Sequence, residues 1–166
     1  MSQNAGQAFV FGDNVDTDTL APGLYMKKTI EEMARHTLEA HDPSFATSVR
    51  AGDVVVGGDN FGMGSSREQA VITLRTLGVA AVIARSFAGL FFRNALNLGL
   101  PALVCAEAGK IGAGDRLAIA PEEGRIENLT KNETYACEPI PPHLLEMIRD
   151  GGLLPHLEKK LKRRSA

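Results

Sequence analysis

The sequence predicts an α/β domain in which a parallel β-core precedes a run of antiparallel strands. Two observations carry this. Short apolar runs at "DVVV" (53–56), "VAAVIA" (79–84) and "ALVC" (102–105) alternate with amphipathic stretches at 66–77 and 87–99. That strand–helix–strand–helix–strand order favours parallel pairing through right-handed crossovers. After Glu107 the texture changes to "GDRLAIA", "RIENL" and "TYACEP", short alternating runs between Gly, Asn and Pro turns. Such runs read as antiparallel strands or hairpins. With no internal repeat and no linker, the 166 residues are expected to form a single domain, 1–166.

Taken in order, "AFVFG" (8–12) reads as the first strand, and the polar, turn-rich "DNVDTDTLAPGLYM" (13–26) as a loop. Thr29 opens a capping box with Glu32, so a helix should run from there to about Ala40. "HDPSF" ends it, because Pro43 disfavours helical geometry at Asp42. "DVVVGG" (53–58) is a buried strand by its β-branched content. In the helix over 66–77, Val71, Leu74 and Leu77 share a face and Gly78 is the stop. "VAAVIARS" (79–86) is the next strand. The helix over 87–99 should turn Leu90, Phe91, Ala95 and Leu98 inward, closed by Gly99 and Pro101. "PPHLLEMIRDGG" places Pro142 in a first helical turn, and "LLPHLEKKLKRR" reads as a short last helix with a solvated basic end.

Composition narrows the function classes. Hydrophobic residues at 44% and charged residues at 23% describe an ordinary globular protein. A net charge of −2 offers no field for nucleic acid or an anionic membrane. No apolar run reaches the roughly 20 residues that span a bilayer, and "MSQNAGQ" lacks the features of a secretory leader. The cytoplasm is therefore the expected compartment. Cys105 and Cys137 are then expected to be free, buried thiols. Two thiols supply neither the ligand set of an iron–sulfur cluster nor a zinc pattern. His36, His41, His143 and His156 show no metal spacing and read as structural or exposed, so no metal is assigned to the chain.

The stretch that asks for chemistry is "GGDNFGMGSSREQA" (57–70), a Gly-rich turn between a strand and a helix. Helix-start N–H groups lack intrahelical partners and sit at the positive end of the dipole. Gly62 and Gly64 permit unusual dihedrals and close approach of a ligand to the backbone. Arg67 adds a planar fork suited to a carboxylate, and Ser65 and Ser66 add hydroxyls. A simpler reading stands beside this one: Ser65–Glu68 is also a capping box, with Ser65 as N-cap. The turn is neither a Walker A loop nor a nucleophile elbow.

"GDNVDTDTLAPGLYM", "GGDNFGMGSSRE" and "ARSFAGLFFRNALNLGLP", in that order and spacing, resemble the small subunit of the 3-isopropylmalate dehydratase and homoaconitase family. That subunit is similar to the swivelling C-terminal β/β/α domain of aconitase. The resemblance covers about residues 8–160. It implies a hydro-lyase that moves a hydroxyl between adjacent carbons of a di- or tricarboxylate. It also implies a [4Fe–4S] cluster held by a large partner subunit, in a heterodimer or heterotetramer, with no cofactor bound by this chain. The isolated chain could self-associate through the face left bare. By the same resemblance Ser65 matches the catalytic serine, and Ser66 and Arg67 match positions that bind substrate carboxylate. Asp18 matches an aspartate supporting the active-site network.

The segment "PGLYMKK" matches the specificity loop, which makes Tyr25, Met26 and Lys27 substrate-facing candidates. Relatives that hold an extra carboxylate carry arginine where Lys27 stands, and isopropylmalate enzymes often carry an apolar or small polar residue. Either Lys27 reads a distal carboxylate, or it is a loop lysine and Met26 faces an isopropyl group. Gln69 and Gly89 depart from the family's usual His and Arg, which admits a homoaconitase-like or dimethylmalate-type substrate. A stand-alone anion-binding module is the non-enzymatic alternative.

Overall fold

The computed structural model describes residues 5–165. Residues 1–4 and 166, with part of the segment read as lacking a leader, lie outside the described residues. One seven-stranded sheet organises the chain, in the order β4-β3-β2-β1-β5-β6-β7. Its parallel half is β1 (Gly6–Val10), β2 (Val54–Val56), β3 (Ala81–Ala84) and β4 (Ala102–Val104). Its antiparallel half is β5 (Arg116–Ala120), β6 (Arg125–Asn128) and β7 (Glu133–Ala136). The sheet curls until its ends meet, where the Glu138 N–H donates to the Val104 carbonyl at 2.9 Å.

The parallel strands lack polar alternation because both faces are covered. Val55 and Val82 face one core cluster with Leu20, Phe45, Leu74 and Phe91. Val54, Val56, Ala81 and Ile83 face the other, with Leu103, Leu117, Ile126 and Leu145. The first cluster is roofed by α1 (Thr17–Leu20), α2 (Ile30–Ala34), α3 (Phe45–Ser48), α4 (Gln69–Thr76) and α5 (Gly89–Asn97). Two helices end the chain, α6 (Pro142–Arg149) and α7 (Leu153–Ser165). None of the described helices is long and apolar enough to cross a membrane.

Several expectations shift. The first strand is Gly6–Val10 rather than 8–12, its start fixed by the Gln7 N–H donating to Asp53. The segment 13–26 is not a plain loop: Asp16 caps α1 through the Thr19 N–H at 2.8 Å, and Gly23–Tyr25 forms a 3₁₀ turn. Thr29 caps α2 as read, but the helix stops at Ala34. Leu38 then adopts φ +61°, its N–H donating to Thr19, so the tertiary contact overrides the run to Ala40. α3 comes next, after a stretch of turns, and has no counterpart in the sequence reading. In α5, Phe91, Ala95 and Leu96 are buried, whereas Leu90, expected inward, is 52% exposed. α7 spans 13 residues and is not short.

Candidate active site

The loop between β2 and α4 lies on an aromatic floor. Phe61 is fully buried and meets Phe91 edge-on, centroids 5.3 Å apart, with Phe87 at 6.0 Å. Gly62 passes over this floor at φ +85°, and a Cβ there would stand 2.2 Å from the Phe91 ring. Only glycine fits that combination of torsion and proximity. Two backbone bonds sew the loop to the segment before α1: the Gly62 N–H donates to Val15 (2.7 Å) and the Thr17 N–H donates to Met63 (2.9 Å). Residues far apart in sequence, Asp18 and Arg67, are thereby brought together. At the base of the loop, Arg85 bridges Asp13 (2.8 Å) and Asp59 (3.0 Å), tying the ends of β1, β2 and β3.

Beyond Gly64, at φ +101°, the chain does not enter a helix at once. The Arg67 N–H donates back to the Ser65 carbonyl at 2.9 Å, a γ-turn with Ser66 at its apex. α4 begins only at Gln69; its N-cap is Glu68, and no side chain caps it. The capping-box reading of Ser65–Glu68 therefore fails, and so does the placement of the helix start at residue 66. Both serines are left exposed on a tight turn ahead of the helix. The amides of Arg67 and Ala70 are spent within the turn, so the backbone contributes a smaller anion cradle than a helix N-terminus directly beneath Ser65 would.

Arg67 is held rigidly. Its Nη1 donates to Asp18 Oδ1 and to the Ala21 carbonyl, each at 3.0 Å. The Arg67 side chain is 26% exposed and that of Asp18 is 67% exposed. The Gly23 N–H donates to the same carboxylate oxygen at 3.0 Å. That amide first, and the guanidinium second, hold the Asp18 carboxyl below its ordinary pKa of 3.8. With Nη1 occupied, the rest of the guanidinium edge remains to meet an anion bidentately.

Among the specificity candidates, Tyr25 is committed to packing. Its ring stacks on His36 at 3.7 Å with 7° between planes, and His36 bonds Glu39 at 2.7 Å. Met26 and Lys27 are exposed at the loop tip beyond it. Two neighbours escaped the sequence reading. Asn94 on α5 donates to Ser66 Oγ at 3.3 Å, and the spacing of 28 residues carried no signal for this. Leu24, 84% exposed, sits beside the Gly23 that grips Asp18, and its place inside the "PGLYMKK" segment is the signal that could have marked it. Gly89 opens α5 with only Arg93 Nη2 near its missing side chain, at 4.0 Å.

The chain does not fit an iron–sulfur cluster. Its two cysteines are buried in the second core cluster, away from the loop just described. Among the described residues one group has metal-ligand potential, Glu146, Asp150 and His156 at the α6–α7 corner. There Asp150 is already shared by His156 (2.7 Å) and Lys159 (3.0 Å), contacts that join the end of α6 to α7.

Comparison with known proteins decides the family. Residues 14–108 match the family model of the aconitase C-terminal domain. The chain belongs to that family. It is 46% identical over 159 residues to the 3-isopropylmalate dehydratase small subunit of Moorella thermoacetica, covering 95% of this chain and 96% of that one. It is 45% identical to the methanogen homoaconitase small subunit of Methanothermobacter thermautotrophicus, covering 94% and 91%. A crystal structure of 3-isopropylmalate dehydratase (LeuD) from Methanocaldococcus jannaschii superposes with a TM-score of 0.91 at 42% identity, covering 97% and 96%. This aconitase-family domain is therefore of the kind found as a separate small subunit.

Proposed function

We propose that the chain is the small subunit of a two-chain hydro-lyase acting on 3-isopropylmalate, with the site completed by a large iron–sulfur subunit. The observation that carries this reading is local. An exposed hydroxyl pair sits on a tight turn beside a guanidinium that a carboxylate and a carbonyl hold in place. Full-length similarity to dehydratase small subunits supports it.

In this reading Arg67 and Ser66 bind one substrate carboxylate, and Asn94 holds the Ser66 hydroxyl. Ser65 removes the proton from the carbon next to that carboxylate. A serine is a weak base at its free pKa, so Ser65 works only when the partner has closed the site and excluded water. Asp18 positions Arg67 and touches no reacting atom. The cluster's ligands come from the partner, since the two cysteines of this chain lie buried in the second core cluster, away from the serine turn.

Lys27 decides between two substrates. Exposed at the loop tip, it is free to meet a second distal carboxylate, and this favours a homoaconitase-like substrate as the second reading. The experiment is anaerobic co-expression with a candidate large subunit, followed by initial rates on 3-isopropylmalate and on a tricarboxylate homologue. Preference for 3-isopropylmalate supports the first reading, and preference for the tricarboxylate supports the second. Tight dicarboxylate binding by the chain alone, with no partner engaged, would replace both with an anion-binding module.

A further inference from the structure

The curled sheet brings together two cysteines that the chemistry above does not use. Cys105 extends β4, its N–H donating to Ala84 on β3 at 2.9 Å. Cys137 extends β7, its N–H donating to Gly124 beside β6, also at 2.9 Å. Between them lies the bond that closes the sheet, Glu138 N–H to Val104 C=O at 2.9 Å. Val104 precedes Cys105 and Glu138 follows Cys137, so the two cysteines flank that bond on the same side.

The strand directions set their relation. β4 runs parallel to β1; β5, β6 and β7 alternate from an antiparallel start on β1, so β7 runs antiparallel to β4. A single antiparallel bond between residues 138 and 104 makes 137 and 105 the neighbouring facing pair without ladder bonds of its own. Such pairs stand about 4.5 Å apart at Cα with both side chains on one face. A disulfide needs Cα atoms roughly 4.4–6.8 Å apart. Both side chains are buried in the same core cluster, on one side of the sheet.

We propose that Cys105 and Cys137 are a latent disulfide site that bolts the parallel end of the sheet to its antiparallel end. The reactant is a small-molecule disulfide. One cysteine sulfur attacks it and forms a mixed disulfide, releasing one reagent thiol. The second cysteine then displaces the other reagent thiol, so one S–S bond forms in the protein and one breaks in the reagent. The two protein protons end on the two reagent thiols. Burial raises both thiol pKa values, Cys137 to about 11, with the Cys105 sulfur adding to the shift. The pair is therefore slow to react, and it resists casual oxidation while the fold is closed.

The test is an equilibrium one, so that slow access does not decide it. The purified chain is held in buffers of 2-mercaptoethanol and its disulfide of graded ratio, starting from both reduced and oxidised protein. Samples are quenched by acid, unfolded, alkylated and weighed. The folded chain is expected to lose two hydrogens at a poise at least about ten-fold more reducing than the urea-unfolded chain requires, because folding raises the effective concentration of the facing thiols. Non-reducing peptide mapping should find Cys105 joined to Cys137 within one chain. Cys105→Ser should give only a mixed disulfide at Cys137. If the folded chain instead needs an equal or more oxidising poise than the unfolded one, or links cysteines only between chains, the thiols do not face each other and the proposal falls.

Discussion

Substituting Gly62 tests whether the serine turn is held from below. In Gly62→Ala the new Cβ enters at φ +85°, 2.2 Å from the ring of Phe91, which is buried between Phe61 and Phe87. The left-handed torsion costs an alanine about 1–2 kcal/mol. Forcing Phe91 off its packed position costs about 1–3 kcal/mol more. The sum is about 2–5 kcal/mol, large against the total stability of an ordinary domain. Urea unfolding should show it as a lower midpoint at an unchanged slope. Gly64→Ala, at φ +101° with Thr17 Oγ1 3.1 Å from the new Cβ, should lose about 1–2 kcal/mol, mostly from the torsion. Gly12→Ala has open space around its Cβ and should stay within about 0.5 kcal/mol of the parent. A Gly62→Ala chain within about 1 kcal/mol of the parent would refute the packing account of the turn.

The Asp18 carboxyl is held below its ordinary pKa, so its contribution to stability is present above about pH 4 and is lost as pH falls through the folded value. Asp18→Asn should therefore differ most from the parent near neutral pH and converge with it in acid; a constant gap across that range would show that the carboxylate charge is irrelevant. In the reconstituted pair, Arg67→Lys keeps the charge but loses the fork, and should raise KM by about ten-fold or more. Unchanged kinetics would remove Arg67 from the substrate site. Lys27→Val should move preference toward isopropyl over carboxylate substrates, and an unaltered ratio would place Lys27 in solvent.

Most of the scaffold was legible because it is local. The runs at 54–56 and 79–84 lack polar residues, a pattern that suits strands buried on both faces. The alternation after Glu107 marked the antiparallel half. What stayed hidden depended on contacts far along the chain. The end of α2 is set by Leu38 bonding to Thr19, and the path of the loop into α4 by Gly62 bonding to Val15 and Thr17 bonding to Met63. Neither leaves a local signature, and the Ser-x-x-Glu pattern pointed to a cap that does not form. Leu90 fitted the helical period, yet at the first turn of α5 it faces outward. Asp18, Arg67 and Asn94 converge only because the loops after β1 and β2 are bonded to each other and lie against α5. The chemistry of the Gly-rich turn brought Arg67 into view and the resemblance brought Asp18, while Asn94 emerged from the fold alone.

The central claim is that Ser65 is the base, and one variant tests it most directly. Ser65 is exposed, so Ser65→Ala should leave the unfolding midpoint and assembly with the large subunit unchanged. Turnover of the reconstituted pair should nevertheless fall by about a thousand-fold or more, with substrate binding retained. Near-normal turnover by that variant, in a complex of normal stoichiometry, would contradict the account.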